Sequence, residues 1–438
     1  MKLPACALVP FLVAVARAGD VAADPSNHRA RLATLRAGDT LLLAPGAYVR
    51  LPITRLAGRA GAWITIRGPE EGAPAVIESE PGHNTIELVD ACFVALEHLV
   101  VDGAKASDAF GVSAKGGGSN RVHDVHIEGC TFRNFSAAQQ QVAISTKTPT
   151  WNWTIRGNRI LDAGTGVYLG NSDGTDPFVA GVIEGNLVQN TLGYAMQIKW
   201  QRARPEIEGL PTGASVTVIR DNVFAKDGRA SPDGDRPSVL VGGLPERGAG
   251  AEDRYEIARN LLLGNPREAL LQASGRVSVH DNVFVGDGPV AIHLGDHDRP
   301  LLRADVGFNT VYGPRSGIRF EHRPRETSVV TGNLVFAATP ITGAEGFELA
   351  NVVASLADAT QYVVRPSLVP GAMDFHPLAG RCVGKELDPA PFGHGAPLPD
   401  FDGRARADHR WRGAYAGPAS ANAFQLDLRL KPLGPASR

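Results

Sequence analysis

The chain has 438 residues, room for two ordinary domains or one long repetitive one. Its 44 Lys plus Arg against 46 Asp plus Glu leave a formal charge of -2, without the basic excess of a nucleic-acid binder, so nucleic acid is excluded as a partner. With 50 glycines, 31 prolines and 6% aromatic residues, the composition excludes a mainly helical protein and favours a turn-rich β architecture.

The chain opens on "MKLPACALVPFLVAVARAGDVAADPSN": a lysine, an apolar stretch from Ala5 to Val15, and the small-residue triplet "ARA". This predicts a secretory signal over residues 1–18, cut after Ala18 or alternatively after Ala23, and an exported protein, periplasmic or extracellular. The stretch is short for a membrane anchor, and no later segment is apolar enough to cross a bilayer. Cys6 would leave with the signal. Cys92, Cys130 and Cys382 make no disulfide framework and are expected as buried free thiols.

A short motif then recurs: "IEGCTF" at 127, "IRGNRI" at 155, "IEGNLV" at 183, "IRDNVF" at 219, "IARNLL" at 257, "VHDNVF" at 279 and "VTGNLV" at 330, with "VGFNTV" at 306 a looser copy. Asn158, Asn186, Asn222, Asn260, Asn282, Asn309 and Asn333 recur at intervals of 22 to 38 residues, mostly 22 to 28. Each motif reads as strand, bend, strand, with the asparagine suited to a left-handed bend and its amide free to bond the next repeat. No sustained helical period lies between the motifs. One short coil per repeat is the pattern of a solenoid.

On these motifs the chain resembles the right-handed parallel β-helix proteins, the group that includes pectate lyases, alginate lyases and chondroitinase B, over roughly residues 30 to 375. The resemblance implies an all-β, single-stranded right-handed parallel β-helix over residues 19–375. It also implies an N-terminal amphipathic cap and opening strand in "HRARLATLRAGDTLLLAPGAYV". A closing segment follows at 376–438, including "DFDGRARADHRWRGAYAGP", and the chain after Pro418 is expected as a loose tail. Function does not follow from this fold, which serves lyases, hydrolases, epimerases and passive binders.

One strand of each coil aligns into a column: "VAISTK" (142–147), "VYLGNS" (167–172), "MQIKWQ" (196–201), "VLVGGL" (239–244), "IHLGDH" (292–297) and "IRFEHR" (318–323). "ALLQA" (269–273) has ambiguous parity and stays unplaced. Apolar positions such as Ile144, Val167, Met196 and Ile198 point inward. Tyr168, Gln197, His293 and Arg319 then form one outward row. Ser145, Gly170, Lys199, Gly242, Gly295 and Glu321 form the next, and Lys147, Ser172, Gln201, His297 and Arg323 the third. The long intervals after Asn186 and Asn222 hold loops, 202–213 and 227–252, expected to wall this strip into a groove.

Cleavage of a uronate polymer by β-elimination needs a group to neutralise the carboxylate and a base to take the C5 proton. In the β-helix lyases this chain resembles, the base is often a Lys or Arg near calcium or other cations. Lys199 is the candidate base, with Arg202 and Arg204 as neutralisers, since crowded cations lower a lysine's pKa. The alternative is a solvated strand end beside a decorated loop. Tyr168 could stack on sugar or protonate the leaving oxygen. Lys147, Gln197, Gln201, His297 and Arg319 are candidate substrate-binding residues. Asn171, Asp173 and Asp176 in "LGNSDGTDPF" offer hard oxygens for Ca2+, although the match to a calcium loop is partial and an Asx-rich turn explains them better. "HLGDHDRP" gathers His293, Asp296, His297 and Asp298, and its "DHD" loosely resembles the Asp-Pro-His-Asp signature of mannuronan C5-epimerases without the proline. His293 is the further catalytic candidate. Trp151 and Trp153 share the parity of Ile155 and are expected in the core, while Trp200 could reach the groove. "FGHGAP" (392–397) resembles the Gly-His-Gly of polygalacturonases, but no Asp-Asp pair accompanies it, which argues against that hydrolase type. The expectation is an enzyme or binder for an acidic, uronate-containing polysaccharide: a lyase first, with a C5-epimerase or a non-catalytic binding protein as alternatives.

Overall fold

A computed structural model describes residues 19–117, 120–393, 398–420 and 423–433. The expected signal (1–18) and His394 of the Gly-His-Gly motif lie outside the described residues. The repeats form a parallel β-helix with three sheets. The first has 15 strands and runs from Asp20–Ala23 to Glu348–Leu349; the second has 12, from Gly46–Val49 to Val352–Ala354; the third has 11, from Leu51–Thr54 to Thr339–Thr342. Each coil visits the sheets in that order. A cut after Ala23 would sever the opening strand, which pairs with Thr40–Leu43.

The core follows from period-two alternation repeated in register. Ile127, Ile155, Ile183, Ile219, Ile257, Val279, Val306 and Val330 stack as one inward column of the first sheet. Phe132, Ile160, Val188, Phe224, Leu262 and Phe284 form the column of the second sheet. All are buried, so each coil hides its apolar face only against its neighbours. At the start, helix His28–Leu32 buries His28 and Leu32. No helix among the described residues is long and apolar enough to cross a membrane.

The bends between the first and second sheets carry an asparagine ladder. Each Asn amide donates to the side-chain oxygen of the Asn one coil on, at 2.9–3.0 Å from Asn158 through Asn333. The same oxygen accepts the backbone N–H of the previous Asn. Asn309, in the looser copy, is a full member, and the ladder ends at Asn351, which the motif search missed. The left-handed residue is the one before each asparagine: Gly157, Gly185, Asp221, Arg259, Asp281, Phe308 and Gly332, with φ between 55° and 67°. The asparagine is selected for its side-chain bonds rather than for its backbone.

The coils end at Ala354, short of residue 375. After a hairpin of Val363–Arg365 with Asp374–Pro377, the chain returns over the outside of the second sheet. The strands after the asparagines are apolar on both faces, and this return explains why. Leu187, Val223, Leu261, Val283 and Leu334 point outward and are covered by a cluster with Met373, Phe375, Phe401, Tyr415 and Leu426. The stretch after Pro418 is therefore not loose where it is described. Leu426 is buried, and the Lys431 ammonium bonds the Asp221 carboxylate at 2.6 Å and the Arg259 carbonyl at 3.0 Å. Arg406 pairs with Asp281 in the same seam. The three cysteines are free; Cys130 and Cys382 are buried, and Cys92 is half-buried. Burial pushes the Cys130 thiol up to about 12.

Candidate functional site

The outer face of the third sheet holds the polar strip, in a register that corrects the predicted rows. Ser145 pairs with Tyr168, Tyr168 with Gln197, Gln197 with Leu240, Leu240 with Gln272, Gln272 with His293, and His293 with Arg319. "ALLQA" thus takes its place through Gln272. Ser145 belongs one row nearer than predicted, and so Lys147, two residues on, stands in the row of Gly170 and Lys199. Lys115 joins it, paired with Lys147. Alternation alone gives the pleat of Val142–Lys147, but only its pairing with the next strand sets the register, two residues from the expected one.

Two ammonium groups flank one ring. Lys147 Nζ lies 5.4 Å and Lys199 Nζ 5.6 Å from the centre of Tyr168. Gly170, at φ +89°, separates the two lysines along the row; a Cβ there would sit 3.3 Å from that of Lys199. Neither lysine has a carboxylate within ion-pair distance among the described residues. Burial lowers the pKa of Lys199, with Arg236 and Lys147 adding to the effect and Asp298 opposing it. Burial also lowers Lys147, helped by Lys115. Tyr168 is raised by burial against a bond from Ser172, so its phenol holds its proton.

Three more residues complete the cluster: Asp298, from the "GDHD" group, and Tyr194 and Arg236, to which the sequence alone assigns no role. Tyr194 precedes the Met196–Ile198 strand; burial raises its pKa, and Arg236, Asp298 and Gln197 all act on it. Arg236 closes the 227–237 loop, its guanidinium donating only to the loop carbonyls of Asp235 and Asp233 at 3.1 and 2.8 Å. Asp298, at φ +56° in the 295–300 loop, acts on Lys199 through its carboxylate. Arg299 of that loop stacks on Trp200 at 4.6 Å, against Arg202 at 5.6 Å. The two clusters that looked separate in sequence, around Lys199 and around "GDHD", are therefore neighbours. Loop length hid this, since the contacts cross three coils.

Other predicted residues sit elsewhere. Arg204 is buried and turned away: it pairs with Asp253 and donates to the carbonyls of Pro211 and Gly213, so it cannot neutralise a ligand in the groove. Gln201 is also interior, bonding the Phe178 carbonyl and the Tyr255 hydroxyl at 3.2 and 3.0 Å. Arg202 stays exposed beside Trp200, whose indole donates to the Ser172 carbonyl at 3.0 Å. Past it, the 202–213 loop leaves the groove, and Ile207 and Leu210 fold onto Trp151 and Val179 on the outer face of the first sheet. Trp151 is thus buried outside the solenoid and Trp153 inside it. The 227–252 interval is two loops, split by the strand Val239–Val241. His293 bonds Glu321 at 2.7 Å, three strands along from Gln197, with Arg319 beyond it. His297 is half-buried, 3.7 Å from Asp298.

The calcium expectation meets a turn. Asn171 donates to Asp176 at 2.9 Å, and Asp173 accepts from the Thr175 N–H and hydroxyl at 3.0 and 2.6 Å. These side chains are engaged within the loop itself. Among the described residues no group of three or more His, Cys, Asp or Glu could hold a metal ion. A cleft of about 550 Å³ lies on the outer face of the first sheet, away from the lysines. Of the arginines that line it, Arg276 and Arg303 are matched by Glu326 and Asp305.

No protein-family model matches the chain, and no curated protein does. Among solved structures it is similar to a pectate lyase (Pel9A), at 13% identity over 94% of this chain and 96% of that one, with a TM-score of 0.49. It is also similar to an alginate lyase (AlyGC), at 12% identity over 94% of this chain and 59% of that one, with a TM-score of 0.43. For the A-module of the Azotobacter vinelandii mannuronan C-5 epimerase AlgE4 the identity is 17%, over 77% of this chain and 94% of that one, with a TM-score of 0.45. At these identities the likeness is one of fold.

Proposed function

We propose that this is an exported, carbohydrate-active β-helix protein that cleaves a uronate-containing polysaccharide by β-elimination in the groove over the third sheet. The observation that carries the reading is the meeting of Lys147, Lys199 and Arg236, half-buried cations without an ion-pair partner among the described residues, near two tyrosines whose pKa burial raises. Asp298 offsets the charge on Lys199 only in part, and half-buried cations that lack ion-pair partners favour an anionic ligand, whose charge a uronate carboxylate supplies. Arg236 and Lys147 would neutralise it, which acidifies the C5 proton. Lys199, its ammonium destabilised by burial, would take that proton as the free amine, and Tyr168 would give its own to the departing glycosidic oxygen. Export rests on the N-terminal stretch alone.

The test is a panel of uronate polysaccharides, each incubated with and without chelator and followed by the ultraviolet absorbance of an unsaturated product. Absorbance on at least one polymer is the expected result; binding without absorbance on any would overturn it. Loss with chelator would bring a cation back into the site. A second reading, C5 epimerisation, is favoured by the approach of Asp298 to Lys199, which offers a second proton-transfer group. It would show as inverted sugar by NMR without absorbance.

Asp298 also makes the acid limb testable. Its carboxylate favours the charged lysine, so Asp298→Asn should lower the Lys199 pKa further. The acid limb of kcat/KM should then move to lower pH. A shift to higher pH, or none, would separate Asp298 from the base.

A further inference from the structure

Arg236 reaches the groove from a loop, and the loop is held by a buried lysine. Lys226 ends the second-sheet strand Val223–Lys226 and is buried, yet it forms no ion pair among the described residues. Its Nζ donates to the backbone carbonyl of Arg236 at 3.0 Å. The same carbonyl accepts from the Asn265 amide at 3.1 Å, and Asn265, one coil on and buried, also donates to the Ala269 carbonyl at 3.1 Å. Two buried donors from successive coils thus converge on one peptide oxygen. The far end of the loop is tied separately, through Gln140 to Asp233 and Arg229 to Asp162. An ammonium is costly to bury, and a single carbonyl is a weak return if the only gain is stability.

We propose that Lys226 is a positioning residue that, with Asn265, fixes the Arg236 backbone so that its guanidinium stays within electrostatic reach of Lys199 and Tyr194 and sets affinity for the anionic ligand. This rests on the uronate reading of the groove. The groups facing the ammonium are Asp227, Asp235 and Arg236 of the loop and Glu268 of the next coil. Burial pushes Lys226 down to about 8, against the three carboxylates and with Arg236 assisting. Above that pH the hold passes from a charged to a neutral donor and weakens.

The experiment compares wild type with Lys226→Met, Lys226→Gln and Lys226→Arg at pH 7 and pH 9. Hydrogen exchange of the 227–237 amides, corrected for intrinsic rate, reads the loop, and calorimetric titration with alginate and polygalacturonate oligosaccharides reads the groove. Lys226→Met should speed loop exchange about tenfold and weaken oligosaccharide binding about tenfold. The Gln variant keeps a donor and should fall between. The Arg variant cannot lose its proton, so loop exchange should no longer differ between the two pH values. Unchanged loop exchange in both Met and Gln variants would overturn the proposal. If exchange responds as expected but wild type binds neither oligosaccharide, the clamp stands and the uronate reading fails.

Discussion

Lys199→Ala should lower turnover of the uronate polymer by about 10² to 10⁴, the usual cost of losing a positioned general base. Folding stability should change by about 0.5 kcal/mol or less, because the side chain points out of the solenoid and makes no ion pair among the described residues. Lys199→Arg is the sharper comparison. A guanidinium keeps the charge beside Tyr168 but does not deprotonate in the working range. If Lys199 is the base, both variants are nearly inactive while oligosaccharide binding and melting temperature persist. If it only neutralises the carboxylate, the arginine variant keeps much of its activity. Full turnover by both would remove Lys199 from the chemistry and turn attention to the His293–Glu321 pair, three strands away.

Asn222→Ala should be among the most destabilising single changes in the chain. The Asn222 oxygen accepts the Asn186 backbone N–H at 3.0 Å and its side-chain amide at 2.9 Å, and its own amide donates to the Ile183 carbonyl and to Asn260, each at 2.9 Å. Alanine leaves two donors and two acceptors short of partners in the interior. At about 1–3 kcal/mol for each buried orphan, partly relieved by relaxation, the loss should be about 3–5 kcal/mol. Asn351→Ala is the control. It stands at the open end of the ladder and is only half-buried, so water can replace what it supplied. The midpoint of denaturant unfolding measures both. Equal losses at the two positions would mean that the ladder's interior bonds do not carry the stability assigned to them.

Much of the solenoid was legible because it is written at short range. Period-two alternation assigns Met196 and Ile198 inward and Gln197 and Lys199 outward, and the recurring Asn marks every bend from residue 158 to 333. These properties belong to a strand and the turn beside it, so a window of six residues contains them. Even there, the residue in the left-handed conformation was misassigned by one position, because the asparagine's side-chain bonds and a backbone bend both leave a short polar residue in the motif.

What only the tertiary structure decided depends on which coils touch and which loops cross them. The register of Lys147 against Lys199 required the pairing of Ser145 with Tyr168. Arg204 and Gln201 share the basic stretch of Lys199, yet Asp253 and Tyr255, at the start of the first-sheet strand Arg254–Ala258, draw them into the interior. Arg236, Tyr194 and Asp298 come to Lys199 from three different loops. Lys431 finds Asp221 only because the C-terminal segment runs back along the solenoid. A sequence window encodes which face a side chain takes. Its charge partner is chosen by the cost of leaving a buried charge alone, and that choice is made among residues that only the folded chain brings together.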